Sequence, residues 1–370
     1  MLMKSFIIDL GLVTNTKRGM GVYIFNLLKN IPTEKVSFDI VLLVSRNHSK
    51  NDILVLKKKF DGVKNIKFNY SPFNHVITEQ IYIPFYMFFK KKYTLVSSGD
   101  SAPILLSKSR IILILHDLYF FKGVELYSKS SISLYKTLGQ IYRRNCIKRF
   151  IGYKTASVIT VSHFMQNEIS EYMSIPLKNI SLIPNGIYID NFISTNHKIN
   201  KKGLILVSGN DPQKNLDNFL QSLQKLPQLI KQEIKEINII GVKGSSFVII
   251  PEIKDLKVNF LGYLNHSDVI KFLVKSKYFV LPSFYESFGI PALEALLSGC
   301  KVAASNTGAL KEVLGEFAVY FNPHDIDSIS NGISKMITLE NYLDLSVFNH
   351  LSIYNWNISS NKFIDFLNSY

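Results

Sequence analysis

Two glutamates, Glu286 and Glu294, lie with seven residues between them in a stretch whose pattern changes from strand to helix. The first follows a short apolar run, Tyr278–Leu281, that predicts a buried strand, and Pro291 suits the first turn of the helix that carries the second. Open α/β sheets bind ligands at the carboxyl ends of their strands. We therefore expect both carboxylates to face one cleft, where such a pair can serve as acid and nucleophile or can bind hydroxyl groups.

Lys214 lies at the start of a predicted helix, LDNFLQSL, after a strand and the polar loop Ser208–Asn215. A lysine beside the free N–H groups of a helix start favours a diphosphate ligand. The loop is not a Walker A loop, because the GxxxxGK[ST] pattern is absent. Its residues Gly209, Asn210 and Asn215 join Lys214 as candidate diphosphate-binding residues.

His116 and two glycines are the candidate groups of the first half of the chain. His116 ends a continuous apolar strand, Arg110–Leu115, which favours a catalytic role, although a lone histidine is usually structural. Gly19 and Gly21 lie in a loop between a strand near the N-terminus and a helix predicted to begin at Val22. Glycines let backbone N–H groups approach a phosphate or a sugar, and a tight turn is the alternative.

Strand patterns alternate with helical patterns along the whole chain, which predicts parallel sheets covered by helices. A polar and irregular segment, 188–202, separates two such series. We therefore predict an α/β fold with two Rossmann-like domains facing one central cleft, in residues 1–186 and 187–352, and a terminal helix in 353–370. Lys243 follows a strand of the second domain, where it borders a nucleobase or lies in an exposed turn.

The composition is that of a folded protein with room for two cores, since the chain has 370 residues of which 47% are hydrophobic. Its two cysteines, Cys146 and Cys300, exclude a disulfide framework and a CxxC zinc site, and they suit a reducing cytoplasm. No apolar run reaches about 18 residues, so a spanning helix is not expected. The N-terminal apolar run is predicted to be the first buried strand rather than a signal peptide.

The net charge of +15 lies in the first half of the chain: residues 1–200 contain 27 Lys and Arg against 12 Asp and Glu, and residues 201–370 contain 16 of each sign. Such a field attracts nucleic acid, anionic lipid or a phosphorylated substrate, and lysines on solvated faces are the alternative. The aromatic segment Glu79–Tyr93, which ends in three lysines, is typical of an interfacial membrane anchor or of a packed helix. The basic segment Leu134–Lys154 presents one face to a membrane, an acceptor or solvent.

Five segments carry a resemblance to a known family. They are VSHFMQNEI, IPNGI, GNDPQKNLDNF, ESFGIPALEALLSG and NTGALKEVLGEFAVYFNP. In this order they resemble the retaining glycosyltransferases of the GT-B fold, family 4 or group 1, and among these the bacterial surface-polysaccharide mannosyltransferases. The resemblance covers most of the chain and is densest in residues 160–325. It implies that the first domain binds the acceptor, that the second binds a nucleotide-diphosphate sugar, and that the helix with Trp356 crosses back to the first.

The resemblance also implies roles for the candidate residues. Glu294 would accept hydrogen bonds from the ribose hydroxyls, and Lys214 would neutralise the diphosphate as charge develops on it. Glu286 would hold the hydroxyls of the transferred sugar. The backbone N–H groups that would assist it are those of Phe288, Gly289 and Ile290. His116 would approach the donor sugar, and the Gly19–Gly21 loop would flank the diphosphate and the acceptor.

The diphosphate site departs from the family in one respect. Members often place an arginine a few residues before the lysine, and Gly209–Pro212 contains none. The helix N–H groups would then act with Lys214 alone, or Lys243 or Arg18 would help, and these alternatives stay open. No metal is implied, because cations and N–H dipoles would do its work.

We therefore expect a retaining, metal-independent hexosyltransferase without a cofactor beyond its donor, with GDP-mannose as the first choice of donor and a lipid-linked or surface-polysaccharide acceptor. Retention would proceed by front-face displacement rather than through a glutamate nucleophile. The expected location is cytoplasmic and peripheral, on the anionic inner face of the membrane. A nucleotide-sugar epimerase or a sugar phosphorylase of the same fold is the alternative. A nucleic-acid-binding protein is a remote one, because no helix-turn-helix, RRM or zinc module is recognised.

Overall fold

The chain forms two compact units in the computed structural model, which describes residues 5–14, 19–122, 134–188, 200–243, 253–340 and 345–370. The first unit contains the described residues up to Lys122, those of 134–186, and the terminal segment Trp356–Tyr370. The second unit contains the described residues between Ile187 and Asn355.

Seven parallel strands form the sheet of the first unit, in the order β3-β2-β1-β4-β5-β6-β7. The strands are β1 Ser5–Asp9, β2 Asp39–Val44, β3 Ile66–Tyr70, β4 Tyr93–Ser97, β5 Ile111–Ile114, β6 Ser157–Thr160 and β7 Ile180–Leu182. Most are continuous buried apolar runs, as is typical of a parallel sheet covered on both faces. The chain runs from β1 outward to β3 and then returns to β4, so β1 and β4 flank the point where the strand order reverses.

Helices connect these strands, as the alternating pattern predicts. They are α1 Gly19–Lys29, α2 Lys50–Lys59, α3 His75–Ile77, α4 Ile83–Phe89, α5 Tyr119–Lys122, α6 Leu134–Lys148 and α7 His163–Met173, with 3₁₀ turns at Thr33–Lys35, Lys108–Arg110 and Leu177–Asn179. A π-helical turn, Thr78–Tyr82, joins α3 to α4, so that residues 75–89 form one continuous helical segment. Helix α7 has a side-chain N-cap, since Ser162 Oγ accepts a hydrogen bond from Met165 N at 3.2 Å.

Helix α1 is described from Gly19, three residues before the predicted start at Val22, so both candidate glycines lie in the helix rather than in a loop. Gly21 is buried, and a Cβ atom there would lie 2.1 Å from Leu12 O. The missing side chain therefore lets α1 approach the segment that follows β1. No atom of the described residues lies within 4 Å of the corresponding position at Gly19.

We expect Gly21→Ala to destabilise the first unit, because its methyl group can be accommodated only by moving the backbone of Leu12. Overpacking of this kind costs about 1–3 kcal/mol, which differential scanning calorimetry detects as a lower Tm. Gly19→Ala is the matched control, since it adds the same methyl group two residues away in open space. Equal melting of the two variants would contradict the close approach.

The second unit contains a six-stranded parallel sheet in the order β10-β9-β8-β11-β12-β13. Its strands are β8 Leu204–Val207, β9 Glu236–Ile240, β10 Lys257–Gly262, β11 Tyr278–Leu281, β12 Lys301–Ser305 and β13 Ala318–Phe321. Strand β11 matches the apolar run Tyr278–Leu281, β8 and β9 are the strands predicted before Ser208 and Lys243, and β13 was not predicted. The strand order reverses between β8 and β11.

The helices of the second unit pack their apolar faces on this sheet. They are α8 Leu216–Gln224, α9 Gln228–Ile234, α10 His266–Lys275, α11 Ile290–Leu297, α12 Leu310–Leu314, α13 Ile326–Thr338 and α14 Leu345–Leu351, and a 3₁₀ turn, Pro212–Lys214, precedes α8. Phe219 and Leu223 of α8 and Ile329 and Ile333 of α13 are fully buried in one core with the strands. Gly299, with φ of 74°, follows α11 as a left-handed glycine after a helix end.

The terminal helix, α15 Trp356–Ser369, belongs to the first unit. Trp356 is buried, with its ring 6.0 Å from that of Tyr23, and Ser360 Oγ donates to Leu27 O at 2.8 Å. Gly186 permits this contact, since a Cβ atom there would lie 2.3 Å from Trp356 N. The predicted return of the terminal helix to the first domain is confirmed.

Candidate functional site

Lys214 and Glu286 form an ion pair beyond the carboxyl ends of β8 and β11. Lys214 Nζ donates to Glu286 Oε1 at 2.8 Å, and Ser283 Oγ donates to the same oxygen at 2.7 Å. Lys214 follows β8 and Glu286 follows β11, the two strands between which the strand order reverses. The pair therefore lies where open α/β sheets bind their ligands. The sequence predicted both residues for one cleft but not their direct contact.

The Asn215 side chain links the loop after β8 to the loop after β11 by hydrogen bonds. Its backbone is left-handed, with φ of 54°, and its side-chain amide donates to Pro282 O at 2.9 Å and to Pro323 O at 2.8 Å. In this structure the amide predicted to bind a ligand is thus engaged with the protein backbone. Its effect is to fix the position from which the Lys214 side chain extends.

The backbone of Glu286 is fixed by a glycine that sequence reasoning did not single out. The carbonyl of Glu286 accepts a hydrogen bond from Ala309 N at 2.9 Å. Gly308 has φ of 63°, and a Cβ atom there would lie 2.2 Å from Glu286 O. A side chain at this position would displace the carboxylate. Gly308 lies in the segment NTGALKE, so the family-like motif was the signal that could have identified it.

Glu294 lies in helix α11 and contacts a histidine that the sequence did not predict for the site. Its side chain is only 9% exposed, and Oε1 accepts a hydrogen bond from His266 Nε2 at 2.6 Å. His266 is the first residue of α10, after the N-cap Asn265, and its side chain is 61% exposed. The carboxylate is thus buried on one side and held by an exposed imidazole on the other.

The start of α11 supplies the backbone groups that the sequence assigned to the site. Gly289 is the N-cap, with φ of 96°, and a Cβ atom there would lie 2.5 Å from Leu310 Cδ2. Pro291 has no N–H group and Ala292 N donates to Gly289 O at 3.0 Å, so the backbone donors that suit an anionic or hydroxyl ligand here are those of Phe288, Gly289 and Ile290. The Phe288 ring is buried against Tyr354, with centroids 5.3 Å apart, so only its backbone can serve a ligand.

The remaining predicted residues of the second unit are more exposed. Gly209 is partly exposed and has open space around it, and Asn210 is exposed. Lys243 is also exposed, and its stem lies along Gly262. Arg18, the other candidate for a second diphosphate cation, lies outside the described residues.

His116 follows β5 in the first unit and is buried. Its backbone N–H donates to Asp100 Oδ1 at 2.6 Å, and its ring meets that of Tyr23 edge-on at 4.7 Å. Burial lowers the pKa of His116 to about 4, so the imidazole is neutral at pH 7. Within the described part of the chain, Nε2 is buried and has no hydrogen-bond partner. Buried polar atoms are rarely left so, and a ligand hydroxyl would satisfy this one.

We expect the contribution of His116 to stability to disappear in acid. Its folded-state pKa of about 4 lies below the unfolded value of 6.5, so the stabilising preference for the neutral ring is complete above pH 6.5 and is lost as pH falls toward 4. A shift of this size corresponds to about 3 kcal/mol. The difference in unfolding free energy between wild type and His116→Gln should shrink over this range. Asp100, Asp117 and Tyr23 are near the ring and are present in both proteins, so their titration largely cancels. A constant difference would contradict the assignment.

Asp9, His75 and Glu79 form a second polar cluster, at the carboxyl end of β1, that sequence reasoning missed. Each residue has one atom that could bind a metal ion, and these three atoms lie within 4.8 Å of one another. Among the described residues, this is the group of side chains whose spacing would suit a metal ion. The Glu79 carboxylate already accepts hydrogen bonds from Ser101 Oγ, at 2.7 Å, and from the hydroxyl of Tyr142. Burial raises the pKa of Asp9. The cluster joins β1 to the helical segment 75–89, which are distant in sequence, so no local pattern indicates it.

Two family models match the chain, and together they span residues 17–345. Residues 17–191 match the model described as Glycosyltransferase Family 4, and residues 189–345 match the one described as Glycosyl transferases group 1. The family predicted from the five sequence segments is confirmed.

Curated relatives and solved structures agree with this match. O-antigen chain mannosyltransferase B of Escherichia coli is 28% identical over 204 residues, 51% of this chain and 53% of the relative. O-antigen chain mannosyltransferase RfbU of Salmonella typhimurium is 28% identical over 205 residues, 53% and 55% of the two chains. The match thus spans about half the length of these relatives. WaaG, a glycosyltransferase involved in lipopolysaccharide biosynthesis, aligns over 100% of both chains with a TM-score of 0.68 and 13% identity, which confirms the fold.

Proposed function

The chain belongs to the glycosyltransferases, with a family 4 domain followed by a group 1 domain, and from this premise we propose that it transfers a hexose from a nucleotide-diphosphate sugar to a lipid-linked or surface-polysaccharide acceptor. The proposed hexose is mannose and the proposed donor GDP-mannose. Both curated relatives described above are named as O-antigen chain mannosyltransferases, which supports this choice.

The proposal rests mainly on the Lys214–Glu286 pair, which lies at the switch point of the second unit, where the strand order reverses between β8 and β11. A cation there can bind a diphosphate, and the carboxylate of its partner can bind sugar hydroxyls. Lys214 would turn from Glu286 to the diphosphate when the donor binds. It would stabilise the leaving group more strongly as negative charge develops in the transition state.

Two further residues complete the proposed donor contacts. Glu294 would accept hydrogen bonds from the ribose hydroxyls, with His266 orienting its carboxylate from the opposite side. His116 would hydrogen-bond a substrate hydroxyl through Nε2. Its low pKa supports a neutral partner rather than a proton donor at pH 7.

We propose that the reaction retains the anomeric configuration by front-face displacement and needs no metal. In a retaining hydrolase, one carboxylate attacks the anomeric carbon and a second protonates the leaving group. The Glu286 carboxylate accepts hydrogen bonds from both Lys214 and Ser283, which supports a role in holding hydroxyls. The departing phosphate oxygen would then take the acceptor's proton, while Lys214 and the helix N–H groups bind the phosphate charge.

We also propose a peripheral location on the cytoplasmic face of a membrane, where a lipid-linked acceptor would lie. No described helix is both long and apolar enough to cross a membrane. The excess of 27 basic over 12 acidic residues in the first 200 supports attraction to anionic lipid.

A thermal-shift panel of GDP-, UDP-, dTDP- and ADP-sugars tests the donor. A ligand at ~100 times its Kd adds about 2.7 kcal/mol of stability, so the true donor should raise the Tm clearly. Product analysis then compares donor alone, donor with phosphate, and donor with acceptor. Transfer only in the presence of acceptor is expected. A new nucleotide sugar from the donor alone would indicate an epimerase, and a sugar phosphate formed with phosphate would indicate a phosphorylase.

A further inference from the structure

A stripe of apolar side chains is exposed along the helical segment 75–89 of the first unit. Its members are Ile77, 38% exposed, Ile81, 62%, Phe85, 66%, Phe88, 70%, and Phe89, 67%. We call these five residues the aromatic stripe. Their spacing of about four residues puts them on one side of the helix. The Phe85 and Phe88 rings lie 5.2 and 5.3 Å from that of Phe89, so the three rings are contiguous.

Packing of the first unit does not explain the aromatic stripe. The opposite side of the same segment already supplies its buried face, with Thr78, Ile83 and Met87 fully buried. A helix of a water-soluble domain normally has one apolar side, and a second one indicates a further apolar surrounding. The aromatic stripe is that second side.

The segment is held rigidly at both ends, so the aromatic stripe is presented as a fixed surface. At its start, Asn74 Oδ1 accepts a hydrogen bond from Ile77 N at 3.1 Å. At its end, the Arg110 guanidinium donates to the carbonyl oxygens of Met87 and Lys90 at 3.3 and 2.8 Å. From Ile77 to Phe89 the stripe extends about 18 Å at 1.5 Å per residue. This is the geometry of a helix that lies along an interface.

The charges around the aromatic stripe favour an anionic surface. Lys90, Lys91 and Lys92 follow it directly and are exposed, and Lys92 Nζ also pairs with Asp39 Oδ2 at 3.6 Å. The single acidic residue between positions 70 and 99 is Glu79, which is fully buried. An apolar strip with aromatic rings and flanking lysines matches the headgroup region of an anionic bilayer, where rings insert and lysines meet phosphates. A protein partner or a second copy of the chain would not require this bias of charge.

We propose that the aromatic stripe inserts into the headgroup region of an anionic membrane and that Lys90–Lys92 bind its phosphates. That this contact brings the protein to a lipid-linked acceptor rests on the proposed function, whereas the membrane contact itself does not. The aromatic stripe is thus the surface that would contact the membrane in the proposed peripheral location.

Sedimentation with vesicles of phosphatidylglycerol and phosphatidylcholine tests the proposal on the full chain. Wild type should sediment with these vesicles at low salt, and Phe85→Ser/Phe88→Ser should lower the partition coefficient at least tenfold. Lys90→Gln/Lys91→Gln/Lys92→Gln should remove the preference for anionic over pure phosphatidylcholine vesicles. Tyr263→Ser is the matched control, since Tyr263 is an exposed aromatic residue of the second unit, 81% exposed, and its loss should leave sedimentation unchanged.

A fluorescence measurement tests insertion directly. Trp356 is the only tryptophan and is buried, so a tryptophan introduced by Phe88→Trp reports the aromatic stripe against a constant background. Its emission should shift to the blue when anionic vesicles are added.

Wild-type sedimentation by the Phe85→Ser/Phe88→Ser variant would overturn the proposal. So would a dimer in lipid-free ultracentrifugation that the same variant dissociates, since the stripe would then bind a second copy. Donor binding measured without lipid tests the proposed function separately, because neither result depends on the other.

Discussion

Lys214→Ala should lower kcat/KM for the nucleotide sugar by about 10- to 150-fold. The ammonium group lies at the switch point of the second unit's sheet, 2.8 Å from the Glu286 carboxylate and only 30% exposed. A charge-assisted hydrogen bond in such a site contributes about 1.5–3 kcal/mol, and each 1.36 kcal/mol corresponds to a factor of ten in rate. The loss should appear in kcat as well as in KM, because the charge on the diphosphate increases as the sugar departs.

Lys225→Ala is the matched control for this variant. Lys225 also belongs to the second unit and also pairs with a carboxylate, Asp327, at 2.6 Å, but both side chains are about half or more exposed. Its replacement should change donor kinetics less than about twofold, as expected for a surface ion pair. Lys214→Arg should retain part of the activity, since it keeps the positive charge. Wild-type kinetics in Lys214→Ala would remove the lysine from the site.

Glu286→Gln should separate binding of the nucleotide from transfer of the sugar. We expect kcat to fall about 100-fold, because a neutral amide is a weaker acceptor for the sugar hydroxyls than a carboxylate. The Kd for the free nucleoside diphosphate should stay unchanged or decrease. The substitution removes a negative charge 2.8 Å from Lys214, and nothing of the sugar is present in this ligand.

Kinetics and calorimetry on the same protein preparation check both halves of this expectation. Ser283→Ala is the matched control, because it removes an uncharged donor to the same Glu286 oxygen and leaves the ion pair with Lys214 intact. Its effect on kcat should be about tenfold or less, since the carboxylate keeps its charge and its hydrogen bond from Lys214. A trapped covalent sugar on Glu286 would instead establish a glutamate nucleophile and contradict front-face displacement.

The strands could be predicted from the sequence because buried parallel strands are continuous apolar runs. Tyr278–Leu281 has the predicted bounds, and the predicted strand Arg110–Leu115 contains β5, which is one residue shorter at each end. Strand β13, Ala318–Phe321, was missed although its sequence, AVYF, is itself a short apolar run, and its positions alternate between partly and fully buried. The start of α1 was placed three residues late, because glycines predict a loop unless the close approach to Leu12 is known.

The site was predictable where residues near in sequence carry the chemistry, and not where distant elements meet. Glu286 and Glu294 were found through their common strand–helix unit, and Lys214 through the start of its own helix. The ion pair between Lys214 and Glu286 joins residues 72 positions apart, and local patterns carry no information on it. The same holds for His266, which has the appearance of an ordinary first residue of a helix until Glu294 is placed beside it.

Calorimetric titration of the donor into wild type and Glu294→Gln tests whether the second unit binds the nucleotide of a sugar donor. We expect saturable binding of GDP-mannose to wild type with one site per chain. Binding to Glu294→Gln should be at least about tenfold weaker, in line with the loss of charged hydrogen bonds to two ribose hydroxyls. His266→Ala, which keeps the carboxylate, should bind within about threefold of wild type, since it removes only an exposed partner. Absence of binding for every nucleotide sugar, or equal binding by wild type and Glu294→Gln, would contradict binding of the donor nucleotide by the second unit.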